Sequence, residues 1–391
     1  MTSASPASID IAVAGHICLD IIPQLPASAS GLEGLLVPGR LTRIGPAAIS
    51  TGGAVPNVGL ALHRLGLRTM LSGKLGQDEL GQVVLGILSA QGAGLVDGMT
   101  TARGEPTSYT VVISAPGVDR IFLHCPGAND TYCAADVPFG RVASARCVHF
   151  GYPPLMRRMY ADGGAELASI MQQFKRLGLT TSLDMAAVDP ASDAGKVDWR
   201  SLLARVLPHV DVFLPSLDEA AWMLHLPAEA GDDAAGAGRI ASVLLELGAP
   251  IVVLKLGDQG LLVQTTGDQG RLAKCGRAAP NDTKAWASRQ LLAPCFNVTV
   301  GGTTGSGDCT IAGFLAGLCK GLGPQQATVA AVGVGACSVE QPDATSGVLP
   351  WDGLMARIGQ GWARRPLRAP LPSWKWSNGI GLFVGPTDSL L

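Results

Sequence analysis

The chain has 391 residues, enough for one large α/β core or two ordinary ones, and its 47% apolar content excludes bulk disorder. With 29 basic and 31 acidic residues the net charge is −2, and no run of Lys or Arg could neutralise several phosphates, so nucleic acid is not the expected main partner. Nine cysteines without any C-x-x-C spacing suit reduced thiols in the cytoplasm better than disulfides or a zinc site. The N-terminal MTSASPASIDIAVAG has no basic region leading into a long apolar one, so no secretory signal is expected. No stretch of about 18 apolar residues occurs either, which removes a membrane span from the expectations.

IDIAVAG, from Ile9, reads as the first strand. Val58, Ala61, Leu62 and Leu65 follow at helical spacing, with Gly66 as the stop. Leu80, Val83, Val84, Ile87 and Leu88 repeat the pattern before Gly92. SYTVVIS (108–114) and RIFLHC (120–125), joined by APGVD, predict a hairpin with Tyr109, Val111 and Ile113 on one face and Thr110, Val112 and Ser114 on the other. With LDIIPQL (19–25) it forms a small separate sheet, a lid. Leu167, Ile170, Met171 and Phe174 predict another helix, and LTTSLDM, VDVFLP and PIVVLKL predict further strands. This alternation predicts an α/β fold, a mostly parallel sheet with helices on both faces. The tail from Pro366, rich in Pro and Trp and without periodicity, is expected to wrap the surface or dock on a partner.

The stretch GGTTGSGDCTIAGFLAGL (301–318) carries the chemistry. Ile311, Phe314, Leu315 and Leu318 predict a helix that starts between Gly305 and Asp308. Its first amides have no intrahelical partner, and glycines remove the side chains that would hold a ligand away, so an anion is favoured there. Asp308 beside such a cradle either takes a proton during phosphoryl transfer to an alcohol or merely complements the helix dipole.

The same chain carries STGGAVPNVGLALHRLGLRTMLSGKLGQDELGQ (50–82), PGAND (126–130), DVFLPSLDEA (211–220) and VLKLGDQGLLV (253–263), in an order that, with TTGSGD, resembles the PfkB, or ribokinase-like, sugar kinases from about Ile9 to Leu354. No Walker A loop is present, since Lys74 is followed by Leu75. The resemblance implies a three-layer α/β/α kinase domain over 1–365, a lid from about 17–50 and 104–126, and a C-terminal extension over 366–391. It implies Asp308 as general base, an anion hole from Gly305, Ser306 and Gly307, and substrate contacts from Asp20, Gly52, Gly53 and Asn57. It also implies that Lys255, Gly257, Gly260 and Thr304 fall beside the nucleotide, although VLKLGDQGLLV by itself is an ordinary hairpin.

Glu219, with Ser216 in place of the family's Asn, stands either at the Mg²⁺ or in a capping box S-x-x-E. Gly302 replaces an Asp that helps to form a monovalent cation site, which puts K⁺ activation in doubt, and Thr310 replaces a frequent Phe. The implied function is ATP-dependent, Mg²⁺-requiring phosphorylation of a sugar hydroxymethyl group. A nucleoside kinase, a phosphosugar kinase and a silent sugar-binding protein stay open. The lid edge offers a strand through which a homodimer could form.

Overall fold

In the computed structural model the described residues are 9–26, 34–35, 37–114, 120–226, 234–369, 371, 373–379 and 381–389. The N-terminal segment before Ile9 and the expected hairpin turn APGVD (115–119) lie outside them.

The main sheet is built from β1 (Ile11–Gly15), β4 (Thr69–Ser72), β9 (Cys147–Gly151), β10 (Thr180–Leu183), β11 (Val212–Phe213), β12 (Ile251–Lys255), β13 (Leu261–Thr265), β14 (Gln290–Ala293), β15 (Lys375–Ser377) and β16 (Leu382–Val384), in the order β15-β16-β14-β13-β12-β11-β10-β9-β1-β4. From β4 to β12 all pairs are parallel; from β12 to β15 they are antiparallel. The parallel half is buried on both faces and reads as continuous apolar runs. Along β1, Ile11 and Val13 enter one core with Leu62, Ile311 and Phe314, while Ala12 and Ala14 enter a second with Leu167, Ile170 and Phe174. Helices therefore cover both faces, and the layers are α/β/α.

The helices Ala54–Arg64, Ala165–Arg176 and Ser306–Cys319 coincide with the predicted ones, and the stripes that predicted them are buried. Glu79–Ser89 is a helix too, but Val83 is 42% exposed rather than buried. That helix lies at the periphery, and only Gly81, Val84 and Leu88 turn fully inward.

β2 (Cys18–Pro23), β3 (Ala47–Gly52), β7 (Tyr109–Ile113) and β8 (Ile121–Cys125) form the second sheet, in the order β3-β2-β7-β8. The hairpin β7–β8 pairs Tyr109 with Cys125 and Ile113 with Ile121, and Thr110 and Val112 lie on its buried face. No strand was predicted at β3, only a lid over about 17–50. Instead AAISTG is a strand paired with β2, small-residued and exposed as an edge strand can be. A short ladder of β5 (Lys74–Gly76) and β6 (Thr100–Ala102) completes the strands among the described residues.

The described part of the C-terminal tail joins the main sheet: β16 pairs with β14 through Leu291↔Val384 and Leu292↔Phe383, and β15 pairs with β16. All nine cysteines are free thiols. Among the described residues no helix is long and apolar enough to cross a membrane.

Candidate active site

The helix Ser306–Cys319 points its N-terminus at the carboxyl ends of the parallel strands. Gly305 precedes it with φ 68, a left-handed conformation, and a Cβ there would stand 2.5 Å from the Cβ of Ala344. Glycine is thus required both by the dihedral and by the space. No side chain caps the first turn. Ser306 N–H donates to the Thr303 carbonyl at 3.3 Å, so within the expected anion hole this amide is already partly engaged. Gly305, Ser306, Gly307 and Asp308 all line a cavity of about 720 Å³.

Asp308 is buried in the first turn of that helix. Asn57 Nδ2 donates to its Oδ2 at 2.9 Å, and the Tyr152 hydroxyl lies 2.8 Å from both of its oxygens. Burial pushes the carboxyl up from the ordinary carboxylate range, against the Lys255 ammonium and the two hydrogen bonds, which favour the ionised form. A carboxylate held so is oriented and more basic than one in water, as proton abstraction needs.

Tyr152 was not singled out from the sequence. It follows β9 with φ 62 and ψ 45, a left-handed conformation uncommon for a bulky residue, and two prolines come next. That turn aims its hydroxyl at Asp308, and its amide donates to Asp184 Oδ1 at 3.2 Å. Asp184, at the end of β10, was likewise missed, although a carboxylate that ends a buried apolar strand is a legible signal. It is fully buried, and Lys255 Nζ stands 3.9 Å from its Oδ2. Desolvation drives its carboxyl well above the ordinary range, partly countered by the Lys255 charge. Lys255 ends β12 and passes beside Gly307, so one ammonium faces the first turn of the helix that carries Asp308 and the buried acids together.

The other predicted residues divide. Ser216 and Glu219 form the capping box: Ser216 N–H donates to Glu219 Oε2 at 2.7 Å and Glu219 N–H to Ser216 Oγ at 3.2 Å. Both also line the large cavity. Gly257 and Gly260 lie at the turn between β12 and β13 and line a second cavity of about 340 Å³, whose wall includes Phe296, Val298, Val332 and Ala336. Thr310 reaches this cavity as well, while its hydroxyl donates to the Ser306 carbonyl at 2.8 Å. Thr304 instead faces the lid, where Arg120 Nη1 donates to its hydroxyl.

Asp20, Gly52 and Gly53 sit on the lid side of Asn57 and line neither cavity. Asp20 accepts from Cys18 Sγ at 3.4 Å, and burial raises its carboxyl pKa. Cys18 touches Thr110, whose hydroxyl pairs with His124 Nδ1 at 2.9 Å; His124 Nε2 in turn lies 3.4 Å from His16 Nε2. The His16 ring centroid is 6.1 Å from that of Tyr152. A continuous polar wall therefore leads from Asp20 to the Asp308 pair.

His16 and His149 are both held down to about 3, by burial first and then by the neighbouring His124 and Lys255 respectively. Unfolding returns each to its ordinary value of 6.5, so the unfolded chain binds protons that the folded one refuses. Their contribution to stability is full above about pH 6.5 and is lost as the pH falls toward 3. The raised Asp184 and Asp308 have the opposite sign and soften the loss. The melting temperature is expected to fall between pH 7 and 5, and to fall less in His149→Gln; equal slopes by differential scanning fluorimetry would contradict this.

This architecture is that of the ribokinase-like kinases: the structure of Arabidopsis thaliana ribokinase complexed with ribose and ATP superposes with a TM-score of 0.69 at 17% identity, over 89% of this chain and 98% of that one. The model of the pfkB family carbohydrate kinases matches residues 10–352, and the chain belongs to that family. Fructokinase-2 of Solanum habrochaites is 31% identical over 139 residues, 35% of this chain and only 39% of its own length. An uncharacterized sugar kinase of Archaeoglobus fulgidus is 25% identical over 262 residues, 67% of this chain and 87% of its own.

Proposed function

We propose that the chain is an ATP-dependent kinase that phosphorylates a hydroxymethyl group of an unphosphorylated sugar, with Asp308 as general base. One observation carries this reading: a buried, doubly hydrogen-bonded carboxylate stands in the first turn of an uncapped helix whose amides face a cavity of about 720 Å³. The acceptor hydroxyl gives its proton to Asp308 as its oxygen bonds to the γ-phosphorus, and the bond to the bridging oxygen breaks to release ADP. Tyr152 and Asn57 hold the carboxylate plane, while the Gly305–Gly307 amides and Lys255 balance charge on the moving group.

ATP fits the two cavities together. The apolar one, walled by Phe296 and Val332, suits the base, and Lys255, Gly257 and Gly307 line both. Among the described residues no cluster of three or more His, Cys, Asp or Glu could hold a metal by itself. That suits Mg²⁺, which keeps its waters and arrives on phosphate, held by one or two carboxylates. Glu219, with Oε2 committed to its own helix, would hold the ion through water, and the ion when bound neutralises phosphate charge.

K⁺ has no such support: a Cβ at Gly302 would stand 2.9 Å from Pro342, so the side chain the family uses there does not fit this loop.

The wall from Asp20 to Tyr152 is neutral or acidic, with Asp20, Thr110 and the uncharged His16 and His124, which suits a polyol, while the lid's cation Arg120 is engaged with Thr304. β3 and β8 are the outer strands of the lid sheet, with Ile49, Phe122 and Leu123 exposed, and a homodimer through that edge and a cytoplasmic location complete the reading. ADP release measured against a panel of hexoses, pentoses, sugar acids and nucleosides tests it. A free sugar is expected to raise ADP release well above the rate with ATP alone. Stimulation by nucleosides alone would make the chain a nucleoside kinase, and thermal stabilisation by a sugar without ADP would make it a sensor.

A further inference from the structure

The family match ends at residue 352, yet both cavities are finished by residues beyond it. Leu367, Arg368 and Leu371 line the larger and Arg365 the smaller, whereas Asp258 lines both and so marks where they meet. Arg364, Arg365 and Arg368 of this segment are anchored. Arg365 N–H donates to the Cys295 carbonyl at 2.8 Å, the Arg364 guanidinium lies 3.7 Å from the Phe296 ring centroid, and Arg368 N–H donates to Gln259 Oε1 at 2.8 Å. Further on, β16 ties the chain to β14.

Two guanidiniums converge on one carboxylate: Arg368 Nη2 lies 2.7 Å from Asp258 Oδ1 and Arg365 Nη2 lies 3.1 Å from Oδ2. One negative charge faces two positive ones, so a unit of positive charge is left over at the junction. The Arg368 side chain is 74% exposed and sits on a long flexible stem, free to turn into the larger cavity.

We propose that Arg368 is a nucleotide-phosphate ligand supplied by the C-terminal segment. In the free protein it shares Asp258 with Arg365 and leaves one positive charge in excess; when the nucleotide enters, Arg368 transfers to a phosphate oxygen and Asp258 keeps Arg365, so that each guanidinium then faces its own anion. A guanidinium suits phosphate better than an ammonium because its donors form a planar fork. The alternative, an exposed ion pair that only decorates the rim, would leave nucleotide binding untouched.

The assignment rests on the kinase reading, and titration of ADP and of adenosine into the full-length chain separates the two. Wild type is expected to bind both. Arg368→Gln is expected to bind ADP about tenfold more weakly, adenosine as before, and to keep its melting temperature, while Arg368→Lys recovers part of the loss. In turnover the KM for ATP rises with kcat within about twofold. Equal ADP affinity in wild type and Arg368→Gln overturns the role of Arg368 and leaves the kinase reading standing, and a parallel loss of adenosine binding reduces Arg368 to a structural part of the wall. Failure of wild type to bind ADP overturns the kinase reading itself.

Discussion

Asp308→Asn is expected to slow sugar phosphorylation by about 10²–10⁴-fold while nucleotide affinity stays close to wild type. The substitution keeps the volume and removes the charge and the basicity. Asn57 Nδ2 would then face either a carbonyl oxygen, which it can still satisfy, or an amide that repels it, and the Tyr152 hydroxyl keeps an acceptor in the first case. The fold is therefore expected to hold. Removing a buried carboxylate whose pKa burial has raised even relieves a desolvation cost, so the melting temperature is expected not to fall. Turnover and stability then move apart, the mark of a functional rather than a structural carboxylate. The pH profile gives a second check. With a raised pKa the base is lost to protonation above the ordinary 3.8, so wild-type kcat/KM is expected to decline on the acid side at a pH above that value, and the residual activity of Asp308→Asn to lack this limb. A variant that turns over at the wild-type rate would remove Asp308 from the chemistry.

The helices were legible because their apolar stripes face cores on both sides of one sheet, as Leu167, Ile170, Met171 and Phe174 show. The helix start at 305–308 was legible because GSGD announces itself locally, as glycines and an acid before an oily helix. What escaped was assembled from distant parts. Tyr152 reaches Asp308 only because a left-handed turn after β9 re-aims it, and no periodicity encodes such a turn. Asp184 looked like any strand end until β10 and β12 were placed in one sheet with only β11 between them, which brings Lys255 to it. β3 was not legible as a strand because AAISTG holds mostly small residues, and it is pairing with β2 that extends them. The tail carried two short strands too brief for an alternation signal, and β14, the partner of β16, lies almost a hundred residues upstream.

Gly53→Ala is the substitution expected to couple fold and function most strongly. Gly53 has φ 95 and ψ 170, a region that residues other than glycine essentially do not enter. A Cβ there would stand 2.5 Å from His16 Nδ1 and 2.7 Å from the His16 carbonyl oxygen, and because the second is backbone no rotamer change relieves it. Dihedral strain of about 1–3 kcal/mol and overpacking of about 1–3 kcal/mol together predict a loss of roughly 2–6 kcal/mol, a large share of a domain's stability. Gly104 supplies the control: its φ of 81 is also positive, but nothing lies within 4 Å of its Cβ position, so Gly104→Ala is expected to cost only about 1 kcal/mol. The damage at Gly53 does not stay local. His16 O accepts from Val55 N–H at 3.1 Å and Gly53 O from Asn57 N–H at 3.2 Å, so the first turn of the helix Ala54–Arg64 hangs on the clashing pair. Displacing that turn moves Asn57 away from Asp308, and it moves the lid loop away from the acceptor side. Variant protein that remains folded at low temperature is thus expected to show lowered kcat as well as a raised KM for sugar, with ADP affinity unchanged because the two cavities proposed for the nucleotide are lined by other elements. Denaturant unfolding and sugar kinetics on the same preparation read both effects; wild-type stability would show that the close approach of Gly53 to His16 is not a constraint of the fold.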